Sequence, residues 1–532
     1  MASTGRTGGL PNMQPSGRMR RDPEYGGGGT AGDDGFLGTD HLKPNLTGRS
    51  VRGGTVTLIA QAVKVAAQFA AVAILARLLS PGDFGIFAIV MSLLGLLEIF
   101  KDLGLSGATV QRTKLTEGQV SSLFWLNTAL GTGAAVLLTA SAPVLGWMYD
   151  EPVLVQLTPV IALSLVMSGL TAQHLALLRR QMRFTALAAI QMGAELASMA
   201  AAVAAAAMGA GLWALVLQRL LWAGIVMTAA WSVCGWQPKR PAAWRDVRAL
   251  VAFGGNATGA MVIGNVSTNL YLMVIGWFWG AAPLGLYGQA QKLVLMPVQN
   301  INMPLTTVAL PMLSRLAHEP DRYRRAYMML VERLAMAMAP LAGLIIAGAE
   351  PLVLFILGPQ WGDAVPILAW MGVSLVFMPV TYTLSWLYMS QDRTREMLRA
   401  SVVNAVLSLS AFAAALPFGP VAVAAAFALS GGLLRVPILF WLAGRRGPVS
   451  ARDFGRVMVL PAAAAGVSAA AIWAMGRLPD MAAASQGTTL VISAVAAATA
   501  ALALYGMLPR GRRALVESLQ IPRLFRSGRA EA

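Results

Sequence analysis

Charge is scarce in this chain: only 12% of its 532 residues are Asp, Glu, Lys or Arg, while 56% are hydrophobic. A soluble domain carries about twice that charged share, so most of this chain belongs in lipid. Cysteine is almost absent as well. The single Cys234 excludes a disulfide framework and any cysteine-based metal centre. Lying at the end of an apolar run, it reads as a small buried hydrophobe. The three histidines show no paired spacing for a metal, and there is no phosphate loop and no nucleophile elbow. The expectation is a protein that is not an enzyme and needs neither metal nor cofactor. Acidic residues number 24 against 41 Lys and Arg, a net charge of +17. In a soluble protein that excess suggests nucleic acid. Here the basic residues flank apolar runs, so membrane topology explains them and no nucleic-acid partner is expected.

What the chain has in abundance is apolar segments of roughly twenty residues, the length that crosses about 30 Å of hydrocarbon. About fourteen follow one another, at 53–79, 84–106, 120–146, 154–178, 184–208, 212–235, 249–279, 284–312, 328–349, 364–390, 396–416, 419–442, 456–475 and 487–507. The fold expected is all-α and polytopic. Residues 1–50 carry glycine runs and mixed charge without an apolar stretch, and read as a disordered tail rather than a cleavable signal peptide. Alternate loops hold the arginines, among them Arg179, Arg180, Arg183, Arg322, Arg324, Arg393, Arg395, Arg445 and Arg446. By the positive-inside bias those loops face the cytoplasm, and so do both termini. The intervening loops are short and poor in positive charge, Arg477 excepted. Ser80-Pro81-Gly82-Asp83-Phe84-Gly85-Ile86-Phe87 resembles Ala282-Pro283-Leu284-Gly285-Leu286-Tyr287, and Gly209-Ala210-Gly211-Leu212 resembles Phe418-Gly419-Pro420-Val421. Chance similarity of small-residue turns competes with a true repeat. The repeat divides the chain into six-helix lobes at 51–248 and 249–445, two further helices within 446–508, and a basic cytoplasmic tail at 509–532.

Polar side chains inside the spans are the candidates for function, because each is costly in lipid unless it meets water or a partner. Thr57, Gln61, Lys64 and Gln68 form a stripe on the first helix. Gln289, Lys292 and Gln299 recur on the eighth, and Thr258, Asn265 and Asn269 on the seventh. Glu98, Lys101 and Asp102 are spaced for local neutralisation and equally for an ion site. Gln191, Glu195 and Ser198 share a face of the fifth span. Arg219 in the sixth invites an interhelical salt bridge with Glu195, a structural alternative of equal weight. Arg77 sits where it can snorkel, and His174 reads as a packing residue rather than a proton relay. The deep cations Lys64, Lys292 and Arg219 outnumber their partners, which points to an anionic substrate, with Lys recognising phosphate as a point charge.

Ala76-Arg77-Leu78-Leu79-Ser80-Pro81-Gly82-Asp83-Phe84-Gly85, Asp102-Leu103-Gly104-Leu105-Ser106-Gly107-Ala108 and Gln111-Arg112 together resemble the polysaccharide transporter family, which includes Wzx-type flippases. The resemblance continues through Phe124-Trp125-Leu126-Asn127, Arg183-Phe184, Leu284-Gly285-Leu286-Tyr287, Pro311-Met312-Leu313-Ser314-Arg315 and Trp361, over residues 50 to 445. It implies the multidrug/oligosaccharidyl-lipid/polysaccharide exporter fold, two six-helix lobes forming a V around a cavity lined by helices one, two, seven and eight. It also implies a function: flipping a polyprenyl-pyrophosphate-linked oligosaccharide across the bacterial inner membrane by alternating access, for lipopolysaccharide or exopolysaccharide. The partners it implies are membrane lipids, the lipid-linked sugar, a polymerase and a chain-length regulator. Within that frame Lys64 and Lys292 are expected to hold the pyrophosphate, with Arg219 adding positive charge. Gln61, Gln68, Asn265 and Asn269 are expected to hold the sugars, and Glu98 or Glu195 to carry a coupling ion. A drug or organic-cation antiporter of the same superfamily is the nearest alternative, and a polysaccharide polymerase or ligase a more distant one.

Overall fold

Lipid offers no partners for backbone N–H and C=O groups, so a spanning segment must satisfy its own, and helices do so. The computed structural model describes residues 65–102, 105–111, 115–242, 269–479, 481 and 484–517. The terminal tails, Gln61, Lys64 and Asn265, and with them Thr57 and Thr258, lie outside the described residues. Among the described residues there is no β-strand. The helices run α1 (Val65–Leu78), α2 (Pro81–Asp102), α3 (Leu105–Gln111), α4 (Glu117–Ala140), α5 (Ala142–Met148), α6 (Val153–Arg180), α7 (Phe184–Ala207) and α8 (Trp213–Cys234). After the stretch 243–268 come α9 (Asn269–Trp279), α10 (Ala281–Arg315), α11 (Pro320–Ala347), α12 (Ala349–Ile356), α13 (Ala364–Leu375), α14 (Met378–Ser390) and α15 (Thr394–Ala415). The chain ends with α16 (Pro420–Ser430), α17 (Val436–Gly444), α18 (Ala451–Met475) and α19 (Gln486–Met507).

Ten helices among the described residues are long and apolar enough to cross a membrane, and α13 with α14 forms an eleventh candidate bent by 44°. The protein is therefore a multi-pass membrane protein. Large apolar side chains point outward along these helices, Leu433 at 72% and Val136 at 63% exposure among them, which suits lipid and not water. Two helices are broken in mid-course. The bend between α13 and α14 falls at Val376–Phe377, just before Pro379. A π-turn, Gly431–Arg435, joins α16 to α17.

The helix ends follow from local chemistry. Ser80 and Asp83 exchange hydrogen bonds around the start of α2: the Ser80 N–H donates to Asp83 Oδ2 at 2.9 Å, and the Asp83 N–H donates to Ser80 Oγ at 3.2 Å. This is a capping box with Pro81 at the first helical position, and it explains the Ser-Pro-Gly-Asp run. At the arginine-rich end, the turns before α7 and α15 are built alike. Met182 and Asp392 take the left-handed conformation with φ of 53° and 54°. The arginine after each caps the carboxyl end of another helix: Arg183 donates to Val233 O at 3.0 Å and Arg393 to Ala443 O at 3.4 Å. A cation at a helix C-terminus also meets the negative end of the dipole.

Packing follows the order of the chain. In the N-terminal half α6 lies between α4 and α8, and α7 packs on α8. In the C-terminal half α11 packs on α18 and α13, and α10 on α13 and α14. The halves meet chiefly where α2 crosses α10. Beyond them α18 and α19 pair, leaving a lipid-facing apolar groove of about 550 Å³ along Ala471, Met475, Val491, Val495, Thr499 and Ala503.

Candidate functional site

Among the described residues, α1, α7 and α10 bring three of the predicted polar residues together: Gln68, Glu195 and Lys292. Gln68 on α1 donates through Nε2 to Glu195 Oε1 on α7 at 3.2 Å. That carboxylate is within electrostatic reach of Lys292 on α10, so the pairing crosses from one half to the other. Lys292 is solvent-accessible by more than a third of its surface. An accessible ammonium on α10 within electrostatic reach of a carboxylate on α7 marks the space between the halves at this level as a cleft open to water. Gln299, two turns along α10, is exposed with it, whereas Gln289 turns inward at 6% exposure and its Oε1 has no partner among the described residues. The polar stripe predicted on this helix is thus a pair, Lys292 and Gln299. On α9, Asn269 packs against α2 at Gly95, whose missing Cβ would lie 3.1 Å from Asn269 Oδ1.

Arg219 does not pair with Glu195. Its Nη2 meets Glu98 Oε1 at 2.5 Å and its Nε donates to Ser164 Oγ at 3.3 Å, while the guanidinium lies 5.7 Å from the Trp222 ring. α6 packs on both α8 and α2, and the long Arg219 side chain reaches past Ser164 of α6 to the α2 carboxylate. The acid at the end of α2 is accordingly partnered by another helix. With side chains 17% and 36% exposed the pair is partly solvated, but stranding one charge is still costly. Glu98→Gln and Arg219→Gln are each expected to lower the thermal midpoint in detergent, and the double variant to recover part of the loss. The coupling expected is roughly 0.5–3 kcal/mol, and strictly additive losses in the cycle would show that the pair contributes nothing.

Other candidates resolve as structure. His174 is fully buried, stacked on Trp231 at 4.4 Å and bonded through Nε2 to Trp236 O at 3.2 Å, a packing residue as expected. Ser198 donates to Glu195 O at 3.1 Å. Two deep arginines escaped the sequence reading. Arg333 pairs with Glu517 at 2.6 Å, and Arg435 is buried in the π-turn at 8% exposure. Arg333 sits near the edge of its apolar run and passes for a flanking charge, whereas Arg435 lies well inside its span, where the same intramembrane-polarity criterion would have found it.

The cleft is shut at its arginine-poor end. Gly85 on α2 and Gly285 on α10 face each other: a Cβ on Gly85 would lie 1.7 Å from Ala281 O, and one on Gly285 1.9 Å from Pro81 O. Around this crossing, Trp361 Nε1 and Gln360 Nε2 both donate to Ala76 O, at 2.8 and 2.7 Å. Arg77 donates to Phe355 O, and Phe84 meets the Trp361 ring edge-on at 5.4 Å. Tyr149 donates to Met273 O at 2.9 Å. Burial pushes that phenol up to about 12, so it keeps the proton it donates. Arg77 is thus a bridge between the halves rather than a snorkelling side chain. At about 1 kcal/mol net per hydrogen bond, these four amount to a few kcal/mol, the size of gap that separates interconverting states.

Residues 74–366 match the family described as polysaccharide biosynthesis protein. The chain is 27% identical over 286 residues to the teichuronic acid biosynthesis protein TuaB of Bacillus subtilis (strain 168), covering 53% of this chain and 59% of that protein. It is 23% identical over 371 residues to the lipopolysaccharide biosynthesis protein WzxC of Escherichia coli (strain K12), covering 69% and 75%. It is 25% identical over 307 residues to the succinoglycan biosynthesis transport protein ExoT of Rhizobium meliloti (strain 1021), covering 58% and 62%. The alignments with TuaB and ExoT thus span about three-fifths of those relatives. Among solved structures, the backbone is similar to the lipid II flippase MurJ in an inward closed conformation, with a TM-score of 0.70, 13% identity, and 85% of this chain and 98% of that one covered. It is also similar to an inward-facing multidrug transporter of the MATE family, with a TM-score of 0.58, 10% identity and coverage of 71% and 93%. The fold is the one these two transporters share.

Proposed function

The chain belongs to the polysaccharide biosynthesis protein family, and on that premise we propose that it flips a polyprenyl-pyrophosphate-linked oligosaccharide across the bacterial inner membrane by alternating access. The observation that carries this reading is Lys292, a water-accessible cation within electrostatic reach of the Glu195 carboxylate of the other half. A cation in such a place is tolerable when its ligand brings the counter-charge, and a diphosphate does so. Glu195 supplies part of that counter-charge. Lys64 joins Lys292 on the diphosphate and Arg219 adds positive potential from behind Glu98. Gln61, Gln68, Asn265 and Asn269 hydrogen-bond the sugar. Glu195, freed when the diphosphate takes Lys292, is the better placed of the two acids to carry a coupling proton, because Glu98 is already held by Arg219.

The two six-helix lobes, residues 51–248 and 249–445, rock about the cleft, and the arginine-rich loops and both termini lie in the cytoplasm. The closed arginine-poor end is then the periplasmic one, and substrate enters from inside. The apolar groove between α18 and α19 has the length and chemistry to accept a hydrocarbon chain. A polymerase and a chain-length regulator would receive the product. An organic cation would need an acid free to receive it, which Glu98 is not.

Thermal stabilisation of the purified protein separates the readings, since a ligand of the native state raises apparent stability by mass action. Polyprenyl-pyrophosphate oligosaccharide is expected to raise the unfolding midpoint and a panel of organic cations to leave it unchanged. The reverse result would move the protein to the antiporter reading.

A further inference from the structure

The closed end of the cleft is held by hydrogen-bond donors with no acid among them. Arg77, Trp361, Gln360 and Tyr149 each place a side-chain N–H or O–H on a backbone carbonyl of the other half. A side chain that bridges two bodies faces the gap between them once they part. Opening of this end therefore puts a guanidinium on one wall of the mouth and an amide and an indole N–H on the other. Gln360 stands directly opposite Arg77: a Cβ on Gly358 would lie 3.4 Å from Arg77 Cγ and 3.0 Å from Gln360 Oε1.

Arg77 carries the only formal charge among these four. It is the last residue but one of α1 and is exposed over more than a third of its surface even with this end shut. Its guanidinium rests on Phe355 O, near the carboxyl end of α12. Among the described residues no carboxylate pairs with it. Asp83, the acid closest in sequence, is held by the Ser80 N–H and hydroxyl at 2.9 and 2.7 Å. A neutral carbonyl offsets only part of a guanidinium charge, so a largely uncompensated cation marks the point where the halves separate. The other described cation at this end, Arg477, stacks 3.5 Å over Trp473 beside α18, away from the crossing. Lys292 lies eleven residues along α10 from Ala281, about 16 Å from that end of the helix.

On the premise that the cargo is a lipid diphosphate, we propose that Arg77 is a second diphosphate-binding residue, available only when the arginine-poor end is open. The diphosphate passes from Lys292 to Arg77 on its way out, and the guanidinium exchanges the Phe355 carbonyl for phosphate oxygens, which its planar fork suits. After release the guanidinium returns to Phe355 O, so departure of the lipid and closure of the end are one exchange of partners.

The test uses the purified full-length protein carrying Gly85→Val, which forces this end open. It reads the concentration of polyprenyl pyrophosphate that gives half of the full rise in unfolding midpoint. In that background Arg77→Gln is expected to raise the half-effect concentration about tenfold or more, the size that follows from losing a hydrogen bond to a charged group. Arg77→Lys is expected to recover part of the loss and Arg477→Gln to change nothing. A latch alone predicts otherwise, because the contact with Phe355 is already broken when the end is open. An unchanged half-effect concentration in Arg77→Gln, or an equal rise in Arg477→Gln, would overturn the site and leave Arg77 as a latch. No response to polyprenyl pyrophosphate in the parent, with Lys292 and Arg77 both intact, would overturn the flippase reading itself and this site with it. Should Gly85→Val fail to fold, Gly85→Ala serves as the background, with the same direction expected for each variant.

Discussion

Replacing Lys292 by Gln is expected to cut polysaccharide export by about 10- to 100-fold while leaving the amount of folded protein in the membrane unchanged. The size follows from the contact: a hydrogen bond to a charged group contributes about 1.5–3 kcal/mol, and each 1.4 kcal/mol is about tenfold. Folding should be spared because the ammonium is solvent-accessible and makes no ion pair closer than electrostatic reach of Glu195. Glutamine keeps most of the length and some hydrogen bonding, so it removes charge with little change of shape. Lys292→Arg should fall between, since the guanidinium keeps the charge but spreads it over a planar fork. Lys292→Glu should do worse than Gln, because it repels the diphosphate outright. Export assays in a strain lacking the native gene, normalised to membrane protein, make the comparison. Full export by the Gln variant would remove Lys292 from the mechanism and with it the main support for an anionic substrate.

The second large effect is expected at the α2–α10 crossing. Gly85→Val or Gly285→Val places a Cβ 1.7 or 1.9 Å from a backbone carbonyl oxygen of the other helix, and backbone, unlike a side chain, cannot swing aside. The helices must separate by more than an ångström, and the hydrogen bonds of Trp361, Gln360 and Arg77 stretch with them. Overpacking of this kind costs about 1–3 kcal/mol or more. It falls entirely on the state whose arginine-poor end is closed, so the population shifts toward the state open at that end. A shift of that size reverses an equilibrium poised by a few kcal/mol. Export is expected to fall to background, and a cysteine placed at Ala76 to react with a membrane-impermeant thiol reagent added outside the cell. The Ala variants should show the same changes in milder form. Wild-type export by both Val variants would mean that this crossing does not have to close during transport.

Much of this was legible from residue order alone. The predicted spans 184–208, 212–235 and 487–507 lie within one or two residues of α7, α8 and α19, because the length of an apolar run and the bilayer's thickness are matched locally. The run 328–349 is part of a longer helix, α11 from Pro320: its first two turns are basic and look like a loop to hydropathy, yet Tyr323 and Tyr327 bury fully against the neighbouring helices. The stretch 350–363 reads as a bare loop but holds α12 and Trp361, and Trp361 with Gln360 reaches back to α1. The run 364–390 reads as one span and is bent at its middle, since averaged hydropathy does not register a break.

The candidate site was legible by residue type and not by partnership. Intramembrane polarity singled out Gln68, Glu98, Glu195, Arg219, Asn269 and Lys292 without structural help, because a polar group in lipid demands an explanation wherever it sits. Whether Arg219 meets Glu98 or Glu195, and that Glu195 faces Lys292 across the halves, depends on the height and rotation of separate helices. Sequence by itself determined a membrane-embedded helical chain, the side on which its cations cluster and its family, all consequences of short-range energetics. Only the tertiary structure decided which acid meets which cation, which end of the cleft is closed and where two helices break, because these depend on interhelical packing that no single segment encodes.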